Sequence, residues 1–126
     1  MGRKRMTTGG EILMRDKEYL ARAVTDRLFA ERPYLLEKHG ERGRDKTLQD
    51  MRYNIEHLIP AVDLGDAPMF ARYIEWLDEM LRSRNVETKE VVRCLELLRD
   101  ECNDRFPREC AAIRPIIDAG LKVVVR

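Results

Sequence analysis

Leu48-Gln49-Asp50-Met51-Arg52-Tyr53-Asn54-Ile55-Glu56-His57-Leu58-Ile59-Pro60-Ala61-Val62 decides the fold of this chain. Leu48, Met51, Ile55, Leu58 and Val62 recur at steps of 3, 4, 3 and 4, the spacing of one buried face of an α-helix. Pro60 and the turn Asp63-Leu64-Gly65 mark its predicted end. Asp66 then suits an N-cap, and Pro68 falls in the first turn, where a missing N–H costs little. Phe70, Tyr73, Ile74, Leu77, Met80 and Leu81 continue as the core face of a helix running to about Arg84.

The same periodicity extends in both directions. Leu13, Leu20, Val24 and Leu28 line a helix from about Glu11 to Glu31. Pro33 ends it, and Tyr34–Lys38 form a short turn before a loop at His39-Gly40-Glu41-Arg42-Gly43-Arg44, whose glycines permit a sharp bend. Downstream, Thr88 is a candidate cap for Val91, Cys94, Leu95, Leu98 and Cys102. Pro107 opens a last stripe of Cys110, Ile113, Ile117, Leu121 and Val124, in which Pro115 predicts a kink or break. No segment reads as strand. The expected architecture is all-α, an up-and-down antiparallel bundle of about five helices, with residues 1–10 a disordered basic tail and 11–126 one domain.

Composition narrows the function classes. The 126 residues include 24 Lys+Arg against 23 Asp+Glu, a net charge of +1, which argues against a duplex nucleic-acid binder. No apolar run approaches a membrane span of about 18 residues, and the basic start at Arg3-Lys4-Arg5 has no apolar run behind it, so a cytoplasmic location is expected. The charges read as solvation and as helix-supporting pairs such as Asp78–Arg82 and Glu101–Arg105. Cys94, Cys102 and Cys110 form no C-x-x-C pair, so buried thiols are expected rather than a zinc site; Cys102 and Cys110 flank the Phe106-Pro107 turn.

Catalytic material is thin. Ser83 has no evident base, the histidines are only His39 and His57, and no Glu-x-x-His pair suits a metal-binding bundle. The chain reads as non-enzymatic, with no catalytic or metal residues assigned and no cofactor identified. One polar stripe stands out: Asp50, Asn54 and His57 flank the apolar face. With Tyr53 and Tyr73 they form a candidate pocket wall, His57 being the titrating or coordinating group; cross-helix hydrogen bonding is the alternative. Trp76, at the edge of the buried arc, serves as a lid on the core or as an interface anchor, with Glu75 and Glu79 in an acidic surround fit for a basic partner.

Pro33-Tyr34-Leu35, Gly40-Glu41-Arg42-Gly43-Arg44, Asp50 with Tyr53, Leu58 and Ala61, then Phe70-x-x-Tyr73-x-x-Trp76, Leu81 and Arg84 carry a resemblance. Over residues 30–120 the chain resembles a helical domain of bacterial regulatory and sensory proteins, found beside cobalamin-binding modules or as small stand-alone proteins. That pattern favours histidine at Asn54 and an aromatic at His57. The resemblance implies a regulatory module, not a cobalamin enzyme. The leading expectation is a module acting through protein–protein contact, chiefly self-association. The alternatives are a ligand- or cofactor-sensing bundle with a pocket near His57 and a metal-dependent bundle enzyme.

Overall fold

A computed structural model describes residues 6–125. Five helices follow one another: α1 (Thr8–Glu31), α2 (Tyr34–Leu64), α3 (Ala67–Arg82), α4 (Thr88–Arg105) and α5 (Pro107–Val124). Buried side chains from all five form one apolar cluster, with Leu13, Leu20, Met51, Ile55, Leu58, Phe70, Ile74, Leu95, Leu98, Ile113 and Ile117 fully enclosed. The stripes read from periodicity are therefore the core, and the all-α bundle of about five helices is what forms. Its two broadest interfaces are α1 on α2 and α3 on α5, so α3 leans mainly on a helix distant in sequence.

The boundary between α2 and α3 follows its local chemistry. Gly65 takes the left-handed conformation (φ 62°) and donates to Ala61 and Val62, while the Asp66 N–H reaches the Ala61 carbonyl at 2.8 Å. The Asp66 carboxylate then accepts from the Met69 N–H at 3.2 Å, which starts α3.

Four local expectations need correction. Residues 8–10 of the expected disordered tail are helical, whereas residues 1–5, including Arg3-Lys4-Arg5, lie outside the described residues. Thr7 caps α1 by accepting from the Gly10 N–H (3.1 Å), and it donates its own N–H and hydroxyl to Asp63 Oδ1 (3.0 and 2.7 Å). The glycine pair is what lets this end dock on α2: a Cβ at Gly10 would lie 2.0 Å from Asp63 Oδ1, and one at Gly9 would lie 3.1 Å from Val62 Cγ1.

The predicted loop at 39–44 is instead part of α2, interrupted only by Gly40 (φ 70°, ψ −172°). Neither Pro60 nor Pro115 ends its helix. Both rings lie on exposed faces, where water can serve the carbonyl that each leaves unpaired. Finally, Glu87 rather than Thr88 is the N-cap of α4.

The charged surface does more than solvate. Arg52 pairs bidentately with Glu18 (2.8 Å each), joining α2 to α1, and Arg93 does the same with Glu31 (2.8 and 2.7 Å), joining α4 to α1. Asp78–Arg82 forms as expected (3.3 Å). The Glu101–Arg105 pair gives way to tertiary partners: Glu101 takes Arg27 at 3.0 Å, and Arg105 reaches Asp16 at 3.4 Å while lying over the Tyr19 ring. All three cysteines are buried free thiols.

Candidate functional site

The polar stripe of α2 divides into an inner and an outer half. Asn54 is only 4% exposed; its Oδ1 accepts from the Tyr73 hydroxyl at 2.7 Å and its Nδ2 points at Met51 Sδ, 3.4 Å away. Burial, with Asp50 and Glu56 nearby, raises the Tyr73 pKa and keeps this hydroxyl a donor. His57 is exposed and lies flat on Tyr73, ring centroids 3.9 Å apart and planes 9° apart. Its Nδ1 is 2.9 Å from the Tyr53 carbonyl, which can only accept, so Nδ1 carries the proton. Tyr53 is exposed and meets Gln49 (3.3 Å).

The expected five-residue pocket is thus not assembled around His57. Asp50 and Asn54 face inward, Tyr53 and His57 face solvent, and Tyr73 joins the two sides. Trp76 is 56% exposed, tilted against Tyr73 at 6.0 Å. With more than half of its surface in solvent, Trp76 covers little of the core and offers its ring outward. Glu75 and Glu79 lie on the same exposed side of α3.

Asp50 and Asn54 open into a cleft of about 180 Å³ bounded by α1, α2, α3 and α4. Leu28, Phe29, Leu77, Leu81 and Val91 supply apolar wall. Lys46 and Arg84 are its cations, while His39, Thr47, Glu90 and Cys94 add to its polar lining. Burial pushes the Asp50 carboxyl up, with Lys46 and Arg84 pulling weakly the other way. Glu90, 5% exposed, accepts from Arg32 Nη1 (3.0 Å) and from the Tyr34 hydroxyl. That bond in turn raises the Tyr34 pKa. The Cys94 thiol is pushed up to about 12, first by burial and then by the Glu90 carboxylate, so it is protonated near neutral pH. His39 Nε2 is buried without a hydrogen-bond partner among the described residues.

Sequence reasoning found Asp50 and Asn54 but missed His39, Lys46, Arg84, Glu90 and Cys94. One signal was available: Glu90 is an acid in line with the apolar stripe of α4, four residues before Cys94 and therefore on the same face. Among the described residues, no group of three or more His, Cys, Asp or Glu side chains could hold a metal ion. Nor, among the described residues, is any helix long and apolar enough to cross a membrane.

Fold and cleft together define, among the described residues, an all-helical protein with a recess of mixed polarity between its helices. The model of the phycobilisome protein family matches residues 2–122, nearly the whole chain, and the chain belongs to that family. Comparison with curated proteins and with solved structures returned no match.

Membership overturns the resemblance to a regulatory and sensory helical domain, and with it the expectation of a regulatory scaffold working by self-association. Those motifs were mainly helix-packing and turn residues, such as Leu58, Ala61, Phe70 and Leu81. Any bundle with similar spacing reproduces them. The broader expectation of a protein partner agrees with the family, whose members assemble with one another.

Proposed function

We propose that this chain is a non-enzymatic, pigment-binding member of its family, and that its cleft seats part of a linear tetrapyrrole. Phycobilisome proteins bind bilins and harvest light rather than catalyse reactions, which supports the reading. The observation that carries it is the make-up of the cleft: a desolvated carboxylate, Asp50, between apolar walls, with the cations Lys46 and Arg84 in the same lining.

These residues suit the chemistry of a bilin. Its pyrrole N–H groups call for an acceptor, which Asp50 supplies, and its propionates call for cations, which Lys46 and Arg84 supply. Leu28, Phe29 and Leu77 would cover the conjugated faces. When bound, the pigment supplies visible absorption; the chain's part is to bind it, orient it and keep water from one end. At about 180 Å³ the cleft is smaller than the roughly 300–1,000 Å³ that encloses a whole drug-sized ligand, so only part of the molecule enters. Cys94 lies in the wall, its thiol raised first by burial and then by the Glu90 carboxylate. Contact with another family member is assigned to the exposed side of Tyr53, His57 and Trp76, with Glu75 and Glu79 at its edge.

The test is titration of the purified chain with biliverdin, followed by absorption and gel filtration. The expected result is a shifted, narrowed long-wavelength band that travels with the protein and is lost on denaturation. D50N and R84Q are expected to weaken it. Absence of binding, or binding indifferent to both substitutions, would overturn the proposal.

A further inference from the structure

One part of the cleft wall is built unlike the rest. It is the segment of residues 32–39, the two linking residues after α1 and the first helical turn of α2 before Gly40, and it contributes Leu35 and His39 to the lining. Three polar ties hold this segment to the start of α4 and the link before it. Arg32 Nη1 donates to Glu90 Oε1 at 3.0 Å, the Tyr34 hydroxyl donates to Glu90 Oε2, and Lys38 Nζ donates to the Asn85 carbonyl at 3.0 Å. Lys89 also lies over the Tyr34 ring, 5.4 Å from its centroid. Two of the three ties therefore end on a single carboxylate, and Leu35 is the segment's one buried apolar side chain.

At its other end the segment meets the rest of α2 through Gly40. With φ 70° and ψ −172° this residue is out of helical geometry, and a Cβ placed there would meet nothing within 4 Å. The backbone at this point is unencumbered by packing, as a hinge requires. Gly43 completes the arrangement: a Cβ on it would lie 2.3 Å from His39 Cβ, so only glycine lets His39 fold back into the cleft wall.

We propose that residues 32–39 form a strap across the cleft, hinged at Gly40 and latched by Glu90, which swings outward to admit a ligand longer than the closed recess. The proposal rests on the reading that the cleft is the ligand site, and it adds how access to that site is controlled. Opening breaks the bonds of Arg32 and Tyr34 to Glu90 and lifts Leu35 and His39 off the lining, while the helices behind stay packed.

Cys94 is an internal reporter of the motion, because it lines the cleft, whereas Cys102 and Cys110 are buried outside it. The experiment is alkylation of the native full chain with iodoacetamide, each cysteine followed separately by peptide mass spectrometry. Y34F removes one charge-assisted hydrogen bond and should raise the Cys94 rate about tenfold. E90Q weakens both latch bonds but also removes the carboxylate that raises the Cys94 thiol, so it is read by the rate of biliverdin binding, which should rise. Cys102 and Cys110 should keep their wild-type rates in both variants.

An unchanged Cys94 rate in Y34F would overturn the strap, and so would an equal rise at all three cysteines, which signals general loosening. If Cys94 alone accelerates while biliverdin fails to bind, the strap stands and the tetrapyrrole reading falls. If biliverdin binds equally fast to the wild type and to both variants, the strap is not the gate.

Discussion

Removing one oxygen atom from Tyr73 isolates the polar contact that joins α2 to α3. Its hydroxyl donates to Asn54 Oδ1 at 2.7 Å, and Asn54 is 4% exposed. Phenylalanine keeps the ring, hence the stack on His57 and the contact with Trp76. What it leaves is a buried amide oxygen with no donor, at a cost of about 1–3 kcal/mol. Taking about 2 kcal/mol, a chain of this size should lose about 6–10 °C in Tm. Urea unfolding followed by far-UV circular dichroism should show the midpoint falling with an unchanged m value. Replacing both partners removes the orphaned atom, so N54L/Y73F should recover most of the loss. A cost below about 0.5 kcal/mol for Y73F, or a double variant no more stable than the single one, would refute the reasoning.

Three further outcomes follow from particular residues. Burial holds the Asp50 carboxyl above its ordinary range, so the stability tied to its proton is full below the unfolded-state pKa and is lost as pH rises through the folded-state value. D50N should therefore match the wild type in acid and become the more stable of the two towards neutral pH, seen in Tm against pH, even as it weakens ligand binding. Glu18 is held down to about 2, chiefly by its hydrogen bonds from Arg52; its contribution is full above the ordinary carboxylate range and is lost as pH falls towards 2. E18Q should flatten that acid limb of the stability profile. At Gly120 a Cβ would lie 3.0 Å from Phe70 Cε2 and 3.1 Å from Ile74 Cγ1, both fully buried, so G120A should cost about 2 kcal/mol in overpacking against the roughly 1 kcal/mol gained in helix propensity, a net loss of about 1 kcal/mol read by chemical denaturation.

What the amino-acid order discloses here is whatever depends on local period. Leu48, Met51, Ile55, Leu58 and Val62 state their helix without help, and Asp66 with Pro68 states the next one. Features that depend on a distant neighbour stayed hidden. Gly9-Gly10 looks like a flexible link until Asp63 arrives against it, and Gly40 breaks only one residue of a stretch that reads as a loop. Pro60 and Pro115 survive inside helices because their exposed positions let water replace the lost bond. In the cleft, Asp50 and Asn54 were visible as polar residues beside an apolar stripe. Cys94 was not, because a thiol in the α4 stripe looks like ordinary core, and Glu90 showed only as an acid in line with that stripe, its partners Arg32 and Tyr34 being distant in sequence. His57 drew attention as one of only two histidines, yet its ring spends its chemistry on Tyr73 and on the Tyr53 carbonyl.

The most direct test of a pigment-seating cleft is the difference spectrum of biliverdin with the intact chain, compared with the same titration on D50N. The expected result is a saturable, shifted long-wavelength band that weakens markedly when Asp50 becomes Asn. A flat difference spectrum, or one identical in D50N, would contradict it.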